Sequence, residues 1–230
     1  MFLTAASWAL AAVLAGSLVY CVLTVIAVRR YRAVLPADLR AIEPISILKP
    51  LHGVDEGLEA NLRSFFEQDY PTFELLFALR DPSDPAVPIV ERLRREFPSV
   101  PARLIVTGEP PYPNAKVFSL DHMMRVAAHD LTVMSDSDIR VDAGLLRAVA
   151  AEFQDGKVGV ATCPYRAVGG ASFWSRLEAC GMNTEFWGSA IVARLVEGMK
   201  FAVGPTIVAR RSAINRIGGF DVLKDYLAED

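Results

Sequence analysis

This sequence has few cysteines, few histidines and no excess of basic charge. These features exclude several classes of protein. Cys21, Cys163 and Cys180 lie far apart and form no CxxC pair, which predicts reduced thiols and no structural zinc site. The three histidines are equally dispersed. Lys and Arg total 24 against 27 Asp and Glu, and the net charge of −3 provides no basic field for nucleic acid. We therefore expect no nucleic-acid partner.

Charge is absent altogether from Phe2 to Val28, where aliphatic and aromatic residues dominate. A helix of this length rises about 1.5 Å per residue and can cross a hydrocarbon core about 30 Å thick. A secretory signal peptide is the alternative, but it would carry positive charge before the apolar run. Arg29, Arg30 and Arg32 follow the run instead. This predicts an uncleaved, single-pass anchor in the inner (cytoplasmic) membrane, with the rest of the chain in the cytoplasm.

The remaining chain alternates short apolar runs with amphipathic segments. Strands are predicted at Ile45–Leu51, Phe73–Leu79, Ala102–Thr107, Leu131–Met134 and Val158–Thr162. Helices are predicted at Leu58–Gln68, Val87–Phe97, Val117–Ala128, Leu145–Phe153 and Phe173–Val196. This alternation is typical of βαβ units and a mostly parallel sheet with helices on both faces. The predicted organisation is an anchor over residues 1–28, a linker over residues 29–44 and one α/β domain over residues 45–230.

Acidic residues follow the predicted strands at their carboxyl ends, where open parallel sheets bind ligands. Asp136 and Asp138 follow the strand LTVM, and alternate side chains of an extended backbone point the same way. Two carboxylates on one side suit Mg²⁺ or Mn²⁺, which takes its other ligands from a diphosphate. The alternative is a turn that caps the next helix. Asp81 also ends a strand, and an Asx-Pro turn is its alternative interpretation.

Four more residues are candidates for contacts with a bound substrate. Asn114 and Lys116 stand in PYPNAKVF just ahead of a predicted helix, where the lysine either pairs with a phosphate or is solvated. Gly218 and Gly219 precede Phe220 in a turn, and they either relieve backbone strain or approach a substrate.

Several segments together resemble the ceramide glucosyltransferase family, which comprises membrane-bound inverting glycosyltransferases with a GT-A fold. The segments are ISILKPLHGVDEGLEANLRSFFEQDYP, ALRDPSDPA, NAKV, SDSDIRV, GGF and YLAED. The resemblance covers about residues 45–230. It implies a UDP-sugar as donor, a lipid hydroxyl as acceptor and a divalent cation, Mg²⁺ or Mn²⁺, as cofactor.

The family carries three spaced aspartates, and the resemblance assigns each a role in this chain. Asp81 resembles the nucleotide contact. Asp136 resembles the second aspartate, with Asp138 as the partner that holds the metal. Asp230, in AED, resembles the catalytic base that deprotonates the acceptor hydroxyl. A single displacement at the anomeric carbon would then invert the configuration of the sugar.

Two departures from the family pattern refine the expectation. The animal enzymes resemble DSG where this chain has DSD, and residues 173–199 look more like a bacterial branch associated with hopanoid biosynthesis. That branch implies a hopanoid acceptor and UDP-N-acetylglucosamine as donor, with glucose and a ceramide-like acceptor as the alternatives. The chain also stops at Asp230, before the family's (Q/R)xxRW motif and later transmembrane helices. We therefore expect a C-terminally truncated domain that binds UDP weakly and does not transfer sugar alone.

Three other functions share some of these features. A family 2 polysaccharide or polyprenyl-phosphate glycosyltransferase would have the same fold and aspartates with a different acceptor. An inactive, membrane-tethered chain that only binds sugar nucleotides would retain the anchor and the fold. A nucleotidyltransferase would require a glycine-rich signature near the first strand, and KPLHGVDEG does not provide one.

Overall fold

The computed structural model describes residues 2–226, with side chains from Thr4 onward. The helices are α1 Phe2–Arg32, α2 Leu58–Phe66, α3 Val87–Glu96, α4 Ala115–Val126, α5 Leu145–Glu152, α6 Phe173–Gly181, α7 Trp187–Glu197 and α8 Arg211–Arg216. The strands are β1 Ile45–Pro50, β2 Phe73–Leu79, β3 Ala102–Val106, β4 Leu131–Ser135, β5 Val160–Thr162 and β6 Thr206–Arg210. A π-helical turn at Met182–Phe186 joins α6 to α7, and a 3₁₀ turn occupies Gly219–Val222.

Two compact units make up the chain. The sheet unit contains residues 36–164 and the described residues from 202 onward, and the helical unit contains residues 2–35 and 165–201. Residues 165–201 were predicted to belong to the α/β domain, whereas the structure groups them with α1. The domain boundaries given above remain a prediction.

The sheet unit is built on six strands in the order β3-β2-β1-β4-β6-β5. Strands β1 to β4 are parallel, with Ile47 in register with Leu75 of β2 and Val133 of β4. Strand β6 runs antiparallel to both β4 and β5. The mostly parallel sheet is confirmed. Residues 206–216, which form β6 and α8, were not assigned by sequence.

Alternate residues of the central strands fill two apolar clusters, one on each face of the sheet. Ile47 and Phe77 belong to the cluster that includes residues of α2, α3 and α5. Leu48 and Leu76 belong to the cluster that includes residues of α4 and α8. Because both faces are covered, the strands read as continuous apolar runs, as is usual in parallel sheets. This scaffold fixes the carboxyl ends of β1 and β4, where the aspartates lie.

The helical unit consists of α1, α6, the π-helical turn and α7. The hydroxyl groups of Tyr20 and Ser189 are hydrogen-bonded at 2.9 Å, and the guanidinium of Arg194 lies 5.4 Å from the ring centre of Tyr31. Sequence predicted one continuous helix over residues 173–196. The structure places a π-helical turn after Gly181, and such turns accommodate one extra residue per hydrogen-bonded ring.

Helix α1 is long and apolar enough to cross a membrane, as judged by its length and composition. It has 31 residues and continues through Arg32, four residues beyond the predicted anchor. Its last turn carries Arg29, Arg30 and Arg32. The predicted apolar helix is confirmed, and its orientation in a membrane remains a prediction.

Candidate functional site

A cleft of about 420 Å³ opens at the carboxyl ends of β1 and β4 in the sheet unit. It is lined by Pro50, Leu51, His52, Asp55, Arg80, Ala115, Lys116, Ser119, Asp136, Ser137 and Asp138. Four segments meet here: the loops after β1, β2 and β4, which are adjacent parallel strands, and the start of α4. The cleft therefore combines three aspartates, Asp55, Asp136 and Asp138, with the basic side chains of Arg80 and Lys116.

Asp136 and Asp138 both face this cleft from the loop that follows β4. The backbone N–H of Asp136 donates to the carbonyl of Pro205 at 3.0 Å, which holds the end of β4 beside the segment before β6. The Asp136 carboxylate is half-buried, and its Oδ1 lies 2.6 Å from the Nζ of Lys116. The Asp138 side chain is exposed. The structure thus brings together Asp136, Asp138 and Lys116, three of the residues selected from sequence.

Lys49, on β1, lies beneath this loop and is completely buried. Its ammonium donates to the backbone carbonyl of Asp136 and lies 3.4 Å from the Oγ of Ser135 and 4.0 Å from the ring centre of Phe65. Burial, together with the neighbouring charge of Lys116, lowers the pKa of Lys49 to about 7 against the opposing effect of Asp136 and Asp138. Lys49 thus supports the Asp136 backbone from within the protein.

Asp81 lies outside the residues that line the cleft. Its Oδ1 accepts hydrogen bonds from the backbone N–H and the hydroxyl of Ser83, both at 2.7 Å. These two hydrogen bonds hold the pKa of Asp81 below its ordinary value. The geometry is that of an Asx turn, the alternative interpretation of the sequence. The neighbouring Arg80 is the residue of this segment that faces the cleft.

Asn114 also has a local structural role. Its Oδ1 accepts from the backbone N–H of Val117 at 3.0 Å and so caps the first turn of α4. Its Nδ2 donates to the carbonyl of Tyr226 at 3.0 Å, and the side chain is buried. This cap explains why α4 begins at Ala115, two residues before the predicted start. By fixing the helix start, Asn114 positions Lys116 in the cleft.

The loop after β1 is tied to the loop after β2 by a single carboxylate. The Oδ2 of Asp84 accepts from the backbone N–H of Gly53 at 3.0 Å and lies 3.8 Å from the Nδ1 of His52. Its Oδ1 accepts from the N–H of Ala86 at 2.8 Å. Asp84 therefore fixes the rim of the cleft on the side of His52.

Gly218 and Gly219 occupy a turn that requires glycine. Their φ values of +104° and +70° are in the left-handed region, and a Cβ on Gly218 would come within 2.7 Å of Val222 Cγ1. A depression of about 520 Å³ adjoins this turn and includes Asp121 and Arg125, which pair at 2.5 Å. It lies away from the carboxyl ends of β1 and β4. The glycines are explained by the turn alone.

Asp230, the predicted catalytic base, lies outside the described residues. For the predicted metal, the donor set is suitable in kind: Asp138 and Asp136 supply hard oxygen atoms at one strand end. Among residues 2–226, no three His, Cys, Asp or Glu side chains cluster in a way that could hold a metal ion. A cation here would thus need most of its ligands from water and a bound diphosphate, as Mg²⁺ usually does.

Sequence reasoning missed Lys49 and Arg80. Lys49 had a detectable signal. It stands in the mostly apolar strand ISILKP, and a lysine is almost never fully buried unless it is paired. Arg80 follows FELLFAL directly and therefore had to emerge at the same edge as the selected aspartates.

The model of glycosyl transferase family 21 matches residues 9–230. Ceramide glucosyltransferase 1 of Caenorhabditis elegans is 31% identical over 188 residues, which are 81% of this chain and 40% of that protein. The ceramide glucosyltransferase of Komagataella phaffii is 34% identical over 109 residues, which are 46% of this chain and 21% of that protein. The chain thus spans well under half the length of these relatives.

Two solved structures share the fold. A mannosyltransferase from Pyrobaculum calidifontis, in complex with GDP-Man and Mn²⁺, has a TM-score of 0.64 at 20% identity, covering 92% of this chain and 59% of that one. The TarS protein of S. aureus in complex with UDP has a TM-score of 0.51 at 15% identity, covering 76% of this chain and 48% of that one. Because the family model matches residues 9–230, which are most of the chain, this chain belongs to glycosyltransferase family 21. It has a GT-A fold.

Proposed function

We propose that this protein transfers a sugar from a UDP-sugar to a lipid hydroxyl with inversion of configuration. The observation that carries the proposal is the cleft at the carboxyl ends of β1 and β4, where Asp136, Asp138, Lys116 and Arg80 face one space in a family 21 chain. Paired carboxylates beside two cations match a diphosphate together with a divalent ion. A site of this kind needs no enzyme nucleophile.

The side chains of the cleft have different roles in binding a diphosphate. Lys116 and Arg80 provide the positive charge, and Lys116 exchanges its contact with Asp136 for a phosphate oxygen when the donor binds. Asp138, assisted by Asp136, holds Mg²⁺ or Mn²⁺. When bound, the cation neutralises negative charge that develops on the departing diphosphate. Lys49 keeps the Asp136 backbone in place from below.

Three residues selected from sequence complete the proposal. Asp230 deprotonates the acceptor hydroxyl, which requires its carboxylate to come within about 3 Å of that proton. Asp81 reaches the nucleotide if the Asx turn at Ser83 opens. Asn114 acts through its cap on α4, which places Lys116.

The membrane supplies the acceptor. Helix α1 is long enough to cross a bilayer, and the arginines at its end would hold the sheet unit in the cytoplasm, where sugar nucleotides occur. The relatives named above are ceramide glucosyltransferases. We propose a ceramide-like lipid or a hopanoid as acceptor, and glucose or N-acetylglucosamine as the sugar.

Two experiments test this function. Titration calorimetry measures the affinity of the chain for UDP with and without Mn²⁺. An affinity that is the same in both conditions would contradict the metal assignment. Membranes carrying the complete gene product are then supplied with radiolabelled UDP-glucose or UDP-N-acetylglucosamine and either ceramide or a hopanoid. A labelled glycolipid supports the proposal. Label found in polysaccharide or on polyprenyl phosphate would replace it with a family 2 type of activity.

A further inference from the structure

The helical unit buries small residues and exposes large apolar ones. Its buried residues, within the described part of the chain, are Ala27, Ala179 and Gly188. Phe173 and Trp174 of the same unit are 68% and 74% exposed. In water such a surface would be costly, since large exposed apolar patches are uncommon on soluble proteins. Small residues at helix contacts with large apolar residues outside are characteristic of helices surrounded by lipid.

Helix α6 concentrates this pattern on one side. At about 100° per residue, Phe173, Leu177 and Trp174 fall within an arc of about 100°. Ala179, which is buried, lies on the opposite side of the helix. The rings of Phe173 and Trp174 meet edge to face, with their centres 5.3 Å apart. We call Phe173, Trp174 and Leu177 the α6 apolar face.

Charged residues border the α6 apolar face on both sides. At the same helical spacing, Arg176 lies on one side of this face and Glu178 on the other, and both side chains are exposed. The Arg176 guanidinium donates to the carbonyl of Ala171 at 2.7 Å, so it stays at the start of the helix. An apolar face bordered by charges, with tryptophan on the apolar side, is typical of a helix that lies in the headgroup region of a bilayer.

The position of α1 indicates what surrounds the α6 apolar face. Helix α7, which continues α6 through the π-helical turn, contacts α1 directly: Ser189 bonds Tyr20, and Gly188 lies against Tyr20 and Thr24. Helix α1 is the described segment able to cross a bilayer. A helix attached to its side must border the same bilayer. We propose that α6 lies in the interfacial region of the membrane that α1 crosses, with the α6 apolar face turned toward the acyl chains.

This inference rests on the membrane part of the proposed function and not on its chemistry. It is tested by tryptophan fluorescence of the 230-residue chain in phosphatidylcholine vesicles with and without brominated acyl chains, which quench nearby indoles. The chain has three tryptophans, and all of them are in the helical unit. The Trp8→Phe/Trp187→Phe variant retains Trp174 alone. Replacing Trp187 forfeits no hydrogen bond seen in the structure, since its Nε1 is buried without a partner.

Two matched variants calibrate the measurement. Trp174→Phe/Trp187→Phe retains Trp8 in α1, and it reports whether α1 is in the membrane. The chain with all three tryptophans replaced by Phe and Arg95→Trp added carries its indole on the exposed side of α3, in the sheet unit. We expect brominated lipid to remove most of the emission of Trp174 and Trp8 and to leave that of the α3 indole unchanged.

Each result discriminates. Quenching of Trp8 without quenching of Trp174 would overturn this inference and leave the membrane anchor standing. Quenching of neither would overturn both. Emission of Trp174 that is blue-shifted but unquenched, and that changes on dilution of the protein in the vesicles, would identify a second copy of the chain as the covering surface and also overturn it. If the double variants unfold, the difference in quenching between wild type and Trp174→Phe gives the same answer.

Discussion

The sheet unit and the helical unit differ in how far they bury their large apolar side chains. The sheet unit encloses its large residues: Phe65, Phe77 and Phe153 are all at most 1% exposed. In the helical unit, Trp8 and Leu18 of α1 are 78% and 67% exposed. Every Phe and Trp side chain described as exposed belongs to the helical unit. The sheet unit thus encloses its large apolar residues, whereas the helical unit leaves many of them exposed.

The difference also extends to polar contacts. In the sheet unit, Glu74 is buried and accepts from Ser46 Oγ at 2.7 Å, Ala128 N–H at 2.6 Å and Arg103 at 2.9 Å. In the helical unit, α1 and α7 are joined by the hydrogen bond between Tyr20 and Ser189 and by the contact of Arg194 with the ring of Tyr31. Removal of a buried charge's partners is expensive in a water-soluble core, whereas hydrogen bonds between membrane helices contribute little. Four substitutions test this contrast.

The largest effect is expected in the cleft, where function can be lost without stability. Asp138→Asn should weaken Mn²⁺-dependent UDP binding more than about 100-fold, because it removes an anionic metal ligand. The side chain is exposed, so the melting temperature should not change. Titration calorimetry measures the affinity. Asp142→Asn, another exposed aspartate of the sheet unit, is the control and should bind as wild type. Wild-type affinity in Asp138→Asn would remove the residue from the metal site.

Glu74→Gln should lower the free energy of unfolding by about 1.5–3 kcal/mol, the usual range for hydrogen bonds to a charged group. Burial alone would raise the pKa of Glu74, but the hydrogen bonds from Ala128, Ser46 and Arg103 outweigh it and lower the pKa. This stabilisation is therefore present above the ordinary glutamate pKa and is lost as the pH falls through the lowered value.

Urea unfolding followed by circular dichroism measures the effect of Glu74→Gln at pH 7 and at pH 3. Glu91→Gln is the control, because Glu91 is 40% exposed and pairs with Arg94 only on the surface. An equal loss in both variants would show that burial does not decide the strength of these contacts. A difference between Glu74→Gln and wild type that does not become smaller from pH 7 to pH 3 would contradict the pKa argument.

Lys49→Met should change the pH dependence of stability. The folded pKa of Lys49, about 7, is far below the ordinary value of 10.5, so the unfolded chain binds more protons between these pH values. The free energy of unfolding of the wild type should then rise with pH, by about 1–2 kcal/mol between pH 7 and pH 9. Without the amine this rise is lost. Thermal unfolding without metal or nucleotide measures it, and Lys157→Met, an exposed lysine, should retain the wild-type slope.

The smallest effect is expected in the helical unit. Tyr20→Phe deletes the hydrogen bond to Ser189 and should cost about 0.6 kcal/mol, the average for such bonds between membrane helices. Unfolding in mixed micelles by increasing sodium dodecyl sulfate measures it. Val19→Ala, which removes an exposed side chain from the same helix, is the control. A loss above about 2 kcal/mol would place this pair in the class of buried polar contacts found in the sheet unit.

Much of the fold was available from the sequence because local patterns decided it. The period of apolar residues placed β2 at Phe73–Leu79 without error, and placed α2 and α3 within two residues of their ends. The SDSD segment located two carboxylates of the cleft, since a strand that ends at Ser135 must deliver them to the carboxyl edge. The position of Lys116 just ahead of a predicted helix made it a candidate but gave no indication of its contact with Asp136.

What the sequence determined by itself is the class of each segment: an uncharged helix able to cross a membrane, alternating strands and helices, and acidic residues after strands. Only the tertiary structure decided which of these residues meet. It turned Asp81 toward Ser83, used Asn114 as a helix cap and buried Lys49 under Asp136. The physical reason is that periodicity reports which side of an element is apolar, whereas the partner of a polar side chain depends on strand order and loop geometry, which bring together residues far apart in the chain.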